Sequence, residues 1–254
     1  MLYRVEGIVI RSMDYGESHK IVTVLTKTHG KVGVLIRGAK KIRSKYGALA
    51  QPFTCGEFHF FRTTGLGTLN HGEILMSHHR LREELDLSAN AAYIAELTDR
   101  ILQDQEEGSG YVFEQLKACF AALQEDKDID IVVQLYEMSM LRFAGYEPQL
   151  TKCIHCSAEL LVDDVPKSFK LSATYGGILC QRCVHIDRYA IIISETAFKL
   201  LRLYTRMDLR RLGNIQVSDS MKQEMKTCMR KLIDTHLSVS LKSRLFLDQL
   251  DKLK

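Results

Sequence analysis

Residues 5–36 read VEGIVIRSMDYGESHKIVTVLTKTHGKVGVLI, and their pattern is the main indication of the fold class. It holds three apolar, β-branched runs, at 5–10, 20–25 and 32–36, separated by short turn sequences that contain Gly16 and Gly30. Runs of this length between glycine-containing turns are typical of β-strands. The chain is therefore expected to begin with three short strands.

Two further strand-like runs follow, at 58–61 and 69–76, separated by a turn at Gly65 and Gly67. A longer basic connection precedes them, and a short helix is predicted in it at 42–50. Five short strands with a helix between the third and fourth are the layout of an OB-fold β-barrel. Closure hides the strand edges, which explains how so short an all-β unit can be stable.

Beyond residue 78 the apolar residues recur at helical spacing. Helices are predicted at 81–102, 112–123, 128–143, 194–207, 218–237 and 241–250, the fourth and fifth opened by Ser194 and Ser218. None is wholly apolar, so a bundle with a solvated outer face is expected. The predicted fold class is α+β multidomain: an N-terminal five-stranded OB-fold β-barrel and a C-terminal helical bundle with a zinc-ribbon-like insert.

The predicted domain boundaries follow these changes of pattern. Residues 1–79 form the OB-fold nucleic-acid-binding domain, and 80–150 form the first part of the helical domain. Residues 151–190 form a four-cysteine zinc-finger insert, and 191–254 complete the helical domain.

Two CxxC motifs carry the clearest chemical signal, and they supply Cys153, Cys156, Cys180 and Cys183. Paired cysteines on tight turns present four thiolates to one tetrahedral metal, so one structural zinc per chain is predicted. The alternatives are a redox CxxC pair or unrelated buried cysteines, but two motifs at this spacing favour zinc. Four cysteine ligands leave no open position for water, which argues against a catalytic metal. The other three cysteines are interpreted as core residues.

A basic segment follows the third strand, with five cations within nine residues: Arg37, Lys40, Lys41, Arg43 and Lys45. Such a loop suits salt-sensitive contact with the phosphates of nucleic acid, independent of base sequence. The alternative is a solvated loop or the start of a helix.

Nearby aromatic residues are candidates for stacking on bases, namely Tyr15, Tyr46, Phe58, Phe60 and Phe61. Phe58 and Phe60 alternate as residues of a barrel interior do, so for these two a core position is favoured.

Charge is unevenly distributed along the chain. Residues 1–80 hold 12 Lys/Arg against 5 Asp/Glu, residues 81–151 hold 5 against 15, and residues 152–254 hold 18 against 11. This basic–acidic–basic order indicates contact with a polyanion at both ends. The alternative is that solvated helix faces simply differ in sign.

Several function classes lack their signatures. The sequence has no phosphate-binding GxxxxGK[ST] loop, no HExxH and no GxSxG, so an enzyme is not predicted. No apolar stretch approaches a membrane span, and the N-terminus lacks the apolar run of a signal peptide. A cytoplasmic, nucleoid-associated protein with reduced thiols is expected.

Several segments resemble bacterial RecO proteins, in the same order along the whole chain. They are EGIVI at 6–10, YGES at 15–18, RGAKK at 37–41, GYEPQL at 145–150 running into the first CxxC motif, and LKSR at 241–244. Members of this family usually carry glycine after the second cysteine, where this chain has Ser157. A serine still permits a turn.

The resemblance implies a recombination mediator that binds single- and double-stranded DNA, anneals complementary strands and, with RecR, helps to load RecA onto single strands coated by single-strand-binding protein (SSB). The acidic, apolar C-terminal tail of SSB suits a cationic apolar groove on the helical domain. Candidate residues for this contact are Arg142, Lys199, Arg202, Arg206 and Arg244.

Without the resemblance, a zinc-containing RNA-binding factor of translation or transcription fits the barrel and the zinc motif equally well. A protein scaffold whose basic loop docks an acidic partner is a third hypothesis. Competition between single-stranded DNA and RNA at fixed salt separates the first two.

Overall fold

The structure is a computed structural model that describes residues 1–103, 108–160 and 168–253. The chain divides into two compact units. The barrel unit comprises Met1–Ile129 with Ser240–Lys254, and the cysteine unit comprises Asp130–Val239. The four-part domain division drawn from the sequence stays a prediction.

Five strands form the barrel: β1 (Leu2–Tyr15), β2 (His19–Thr26), β3 (Gly30–Ile36), β4 (Cys55–Phe61) and β5 (Gly67–Met76). The barrel closes in the order β1-β2-β3-β5-β4, with β1 paired to β4. The β3–β5 pair is parallel and the other pairs are antiparallel. The predicted five-stranded OB-type barrel is confirmed.

Alternating side chains of the strands fill the barrel. Val22, Val24, Phe58 and Phe60 are all buried, as the period of two requires. Leu49, from the connection after β3, covers strands β4 and β5. A Cβ added at Gly72 would lie 2.4 Å from the Leu49 side chain, so only glycine at position 72 allows Leu49 to pack against β5.

The connection between β3 and β4 consists of successive turns, so the short helix predicted at 42–50 is wrong. Gly38 has a positive φ of 69°, and the Ser44 hydroxyl accepts a hydrogen bond from the Tyr46 amide at 3.3 Å. These local conformations compete with helical hydrogen bonding. Insertion of Leu49 into the barrel wall fixes the rest of the connection.

The helices described are α1 (Arg80–Glu83), α2 (Leu85–Ile101), α3 (Ser109–Gln124), α4 (Ile129–Phe143), α5 (Glu195–Tyr204), α6 (Asp219–His236) and α7 (Lys242–Asp251). The long helix predicted from residue 81 is interrupted at Glu84, whose backbone is extended. No helix of the described chain is long and apolar enough to cross a bilayer.

Within the barrel unit, ion pairs join the barrel to helices α2 and α3. Lys31 Nζ lies 3.0 Å from Asp99 Oδ1 and also donates to the Asp99 carbonyl at 2.6 Å. Lys117 Nζ lies 2.6 Å from Glu6 Oε1. Because these pairs are partly buried, they orient the barrel on its helices more firmly than exposed pairs do.

The cysteine unit combines helices α4 to α6 with a three-stranded sheet. Its strands are β6 (Ser168–Ser172), β7 (Gly177–Leu179) and β8 (Ile191–Ser194), in the order β7-β6-β8. Ser194 caps α5 as predicted, because its hydroxyl accepts the Ala197 amide at 3.1 Å.

Candidate metal centre and nucleic-acid interface

The structure brings the four predicted cysteines together at one place in the cysteine unit. The sulfur atoms of Cys153, Cys156, Cys180 and Cys183 all lie within 4.8 Å of one another. Cys153 and Cys183 are buried, while Cys156 is exposed. One side of the cluster therefore faces the protein interior and the other faces solvent.

Backbone turns present the thiols. In the first motif the Ser157 amide donates to the Cys153 carbonyl at 2.9 Å, and Ser157 adopts a positive φ of 59°. This left-handed conformation favours glycine, which is the residue that the resembling family usually has there. In the second motif β7 leads directly into Cys180, and the Cys183 amide donates to the Cys180 carbonyl at 2.8 Å.

Thiol acidity differs within the cluster. Burial opposes ionisation of Cys153, but amide hydrogen bonds from Cys156, Cys180 and His155 outweigh it and lower its pKa to about 6. Burial, followed by the neighbouring thiols, raises the pKa of Cys183 to about 12. The protein alone therefore favours one thiolate and penalises further ones, and this penalty is what a bound cation offsets.

The donor set fits zinc. Sulfur atoms about 2.3 Å from one tetrahedral zinc ion lie about 3.8 Å apart. The Cys156 and Cys180 sulfurs are 3.6 Å apart. The cluster can thus accept a metal ion without a large rearrangement.

The other three cysteines, Cys55, Cys119 and Cys228, are buried. Burial raises the pKa of Cys55 to about 11 and that of Cys228 to about 12. Such thiols are poor nucleophiles and poor metal ligands. Their predicted role as core residues is confirmed.

The basic loop (residues 37–45) is exposed on the barrel. Arg37, Lys41 and Arg43 form no ion pair with any described residue, and Ile42 at the tip is fully exposed. Lys45 Nζ lies 5.3 Å from the Tyr46 ring centroid. These cations are open to an external polyanion.

Lys40 differs from its neighbours because its charge is already paired. Its Nζ lies 2.8 Å from Asp14 Oδ2, and Lys20 approaches the other oxygen at 3.3 Å. Hydrogen bonding by Lys40 and then Lys20 holds the pKa of Asp14 below its ordinary value. A phosphate must therefore compete with Asp14 for Lys40.

The aromatic candidates separate into two groups. Phe58 and Phe60 are buried in the barrel, so their predicted core position is confirmed. Tyr15 and Phe61 are about half exposed, and Tyr46 is partly buried beside the basic loop. These three remain candidates for contact with bases.

The cations proposed for a protein partner do not all lie in the same unit. Lys199 and Arg202 lie three residues apart on α5, and Lys199 Nζ is 2.5 Å from Glu195 Oε1. Arg206 lies beyond the end of α5 at Tyr204. Arg142 Nε lies 3.4 Å from Glu147 Oε2 in the same cysteine unit, yet forms no hydrogen bond. Arg244 belongs to α7 of the barrel unit.

A charged contact between α2 and the start of α7 was not predicted from the sequence. The Glu96 carboxylate accepts the Lys242 amide at 3.1 Å, the Ser243 amide at 2.8 Å and the Ser243 hydroxyl at 2.5 Å. An acidic side chain from another element thus caps α7 and complements its dipole. The LKSR segment, which carries part of the family resemblance, contains this contact.

These features define an OB-fold protein with a helical domain and a four-cysteine finger. The family profile described as "Recombination protein O N terminal" matches residues 1–78, and "Recombination protein O C terminal" matches residues 82–245.

Relatives called "DNA repair protein RecO" align over nearly the whole chain. The Bacillus subtilis protein is 41% identical over 254 residues, covering 100% of this chain and 97% of its own length. The Halalkalibacterium halodurans protein is 39% identical, with coverage of 100% and 97%. The chain belongs to the RecO family, and this membership supports a role in DNA repair and recombination.

Proposed function

We propose that this protein is a non-enzymatic recombination mediator that binds single- and double-stranded DNA and anneals complementary strands. The observation that carries the proposal is the basic loop, in which Arg37, Lys41 and Arg43 have no counter-charge among the described residues. A barrel that displays uncompensated cations, in a chain of the RecO family, suits contact with DNA phosphates.

The proposed mechanism is neutralisation of the phosphate charge of the DNA strands by the cations of the protein. Two complementary strands repel each other through their phosphates, and a protein that replaces condensed counterions with its own cations holds both strands at pairing distance. No covalent bond changes in this step, so no nucleotide is consumed. Gly38, at the start of the loop, carries no side chain, which lets a phosphate chain approach closely there, whereas Ala39 is buried in the barrel core.

The cysteine cluster is proposed to hold one structural zinc ion per chain through Cys153, Cys156, Cys180 and Cys183. When bound, the ion would neutralise thiolate charge and stabilise the fold of the finger. The support is the proximity of the four sulfurs.

The protein partners proposed are RecR, the C-terminal tail of SSB and, indirectly, RecA, in the nucleoid region of the cytoplasm. For the acidic SSB tail, the candidates in the cysteine unit are Lys199 and Arg202 on α5, Arg206 just after that helix, and Arg142. Arg244 is retained as a candidate on α7.

The testing experiment is strand annealing at low salt, without nucleotide, on complementary oligonucleotides that carry a fluorophore and a quencher. Wild-type protein is expected to accelerate annealing and to release no phosphate from added ATP. Lys41→Ala should slow annealing more than the adjacent Lys40→Ala, because Lys40 is paired with Asp14. Failure of the wild-type protein to bind or anneal DNA would overturn the proposal.

A further inference from the structure

The barrel unit contains a second concave surface, distinct from the basic loop. This cavity, here called the α3 cavity, has a volume of about 490 Å³ and lies between the barrel and the first turn of α3. Its wall includes the turn before β3, whereas the basic loop follows the other end of β3. Seven residues of strand separate the two sites by roughly 20 Å.

The cationic groups of the α3 cavity are unequal. Arg62 forms no ion pair within the described residues, so no described acidic group compensates its charge. Lys27 is paired with Glu114 at 2.9 Å and contributes little net charge. The Thr28 hydroxyl lies 2.7 Å from His29 Nδ1, and His29 Nε2 has no hydrogen-bond partner within the described chain.

The hydroxyl of a mostly buried serine and the start of a helix lie at the same cavity. Ser109 is only 6% exposed and lines the cavity, yet its hydroxyl has no hydrogen-bond partner among the residues described. Because the hydroxyl oxygen itself remains accessible from the cavity, the hydroxyl can donate a hydrogen bond to a ligand there. Gly108 provides no side-chain cap for α3. The Tyr111 amide donates to the Gly108 carbonyl at 2.9 Å, but the Ser109 and Gly110 amides have no partner among the described residues and are able to bind an anion.

One wall of the α3 cavity is aromatic. Tyr3 stacks on Phe60 with ring centroids 5.3 Å apart and an angle of 11°. His29 meets the edge of Tyr3 at 5.4 Å. Such a wall suits a planar base, and the cavity volume lies in the range typical of small-ligand sites.

From these observations we propose that the α3 cavity binds a nucleotide through its phosphate monoester, with the base against Tyr3. A monoester carries nearly two negative charges at neutral pH and three free oxygens, as phosphoserine does. These oxygens match the Arg62 guanidinium, the Ser109 hydroxyl and the α3 amides. Either a free mononucleotide or the phosphorylated end of a DNA strand supplies this group, and the second source rests on the proposed DNA binding.

Titration calorimetry on the full chain tests the site with dAMP, deoxyadenosine and inorganic phosphate. We expect dAMP to bind saturably and at least about tenfold more tightly than deoxyadenosine, because hydrogen bonds to charged groups are strong. Arg62→Gln and Ser109→Ala should each reduce the dAMP affinity, Arg62→Gln by about tenfold. The matched control is Arg11→Gln, an exposed arginine eight residues along β1 from Tyr3, which should leave dAMP binding unchanged.

Oligonucleotides of one sequence that end in 5′-phosphate, 3′-phosphate or hydroxyl distinguish the two sources of the phosphate monoester, a free nucleotide and a strand end. Preference for a phosphorylated end that disappears in Arg62→Gln assigns the cavity to strand ends; dAMP binding without such a preference assigns it to free nucleotide. Equal binding of dAMP and deoxyadenosine, or dAMP binding unaffected by Arg62→Gln, overturns the proposal. If the cavity proposal fails while DNA binding still depends on Lys41, the proposed function stands. If the protein binds dAMP but not DNA, the cavity proposal stands and the proposed function is overturned.

Discussion

The cysteine cluster and the basic loop use polar groups in opposite ways. In the cluster, turns and amide hydrogen bonds gather four sulfurs within 4.8 Å, and two of the cysteines are buried. In the loop, the cations are exposed, and four of the five form no ion pair with described residues. The polar groups of the cluster lie close to one another, whereas those of the loop face solvent and are available to a ligand.

The cysteine cluster and the basic loop are therefore expected to control different properties, stability and binding affinity respectively. A gathered, partly buried ligand set contributes to the stability of the unit that contains it. Exposed lysines and arginines contribute little to folding but govern affinity and its dependence on salt. Mutations in the two regions should therefore affect different measurements.

The largest effect is expected from Cys180→Ser, which removes one of the four sulfurs. We expect zinc content to fall from about one ion per chain to near zero, because three cysteines hold the ion weakly. Hydrogen exchange should show loss of protection in β6 and β7, with protection of the barrel retained. Cys228→Ala is the matched control: it should cost about 1 kcal/mol of stability and keep the metal. Zinc-free wild-type protein with a protected finger would contradict the prediction.

A smaller effect, on binding alone, is expected from the double variant Lys41→Ala/Arg43→Ala. Each phosphate contact contributes about −0.7 to the slope of log affinity against log salt for single strands. The slope should therefore become less steep by about 1.4, equally for all sequences, while thermal stability hardly changes. Fluorescence anisotropy over a salt series measures the slope. An unchanged slope would mean that DNA contacts another face of the barrel.

The charge of Glu96 differs from the charges of the basic loop because it forms hydrogen bonds inside the fold. Glu96→Gln should destabilise the barrel unit by about 1 kcal/mol at pH 7, as loss of a helix cap does. Burial opposes ionisation of Glu96, but the hydrogen bonds from Ser243 and Lys242 outweigh it and lower its pKa. Its contribution is thus complete above its unfolded pKa of about 4.3 and is lost as the pH falls below that value.

Urea unfolding of Glu96→Gln at pH 7 and near pH 3.5 checks this dependence. The difference from wild type should shrink at the lower pH. Glu83→Gln is the control, since Glu83 is exposed and should change stability little at either pH. A difference between wild type and Glu96→Gln that is constant with pH would exclude the carboxylate as the cap.

The smallest effect is expected at Ser157, in the first turn of the cysteine cluster. Ser157→Gly should stabilise the finger by about 0.5 kcal/mol, because relief of the left-handed conformation exceeds the added flexibility of the unfolded chain. Ser157→Ala keeps the Cβ atom and should show no gain. Competition with a zinc chelator provides the measurement, and equal retention of zinc by both variants would argue against strain at this turn.

Much of this architecture could be predicted because its signals are local. Alternation of two residues identified the barrel interior, so Phe58 and Phe60 were correctly favoured as core. The spacing of the CxxC motifs predicted the cysteine cluster, because a tight turn alone brings each pair together. Ser194 predicted its helix cap for the same reason.

Contacts between distant residues escaped prediction. The Glu96–Ser243 contact joins residues 147 positions apart, and nothing in either local sequence identifies the partner. The Asp14–Lys40 pair depends on how β1 meets the basic loop. The helix expected at 42–50 was wrong because Leu49 packs into the barrel wall, and this tertiary contact overrides the local preference.

The return of α7 to α2 has a consequence for protein synthesis. The residues joined by the Glu96–Lys242 contact are 146 positions apart, and the cysteine unit is encoded between them. At ordinary translation rates α2 leaves the ribosome roughly 7–30 s before the residues that its carboxylate caps. During that interval α2 lacks its contact with α7, so it is open to chaperones and to incorrect pairing until α7 has emerged.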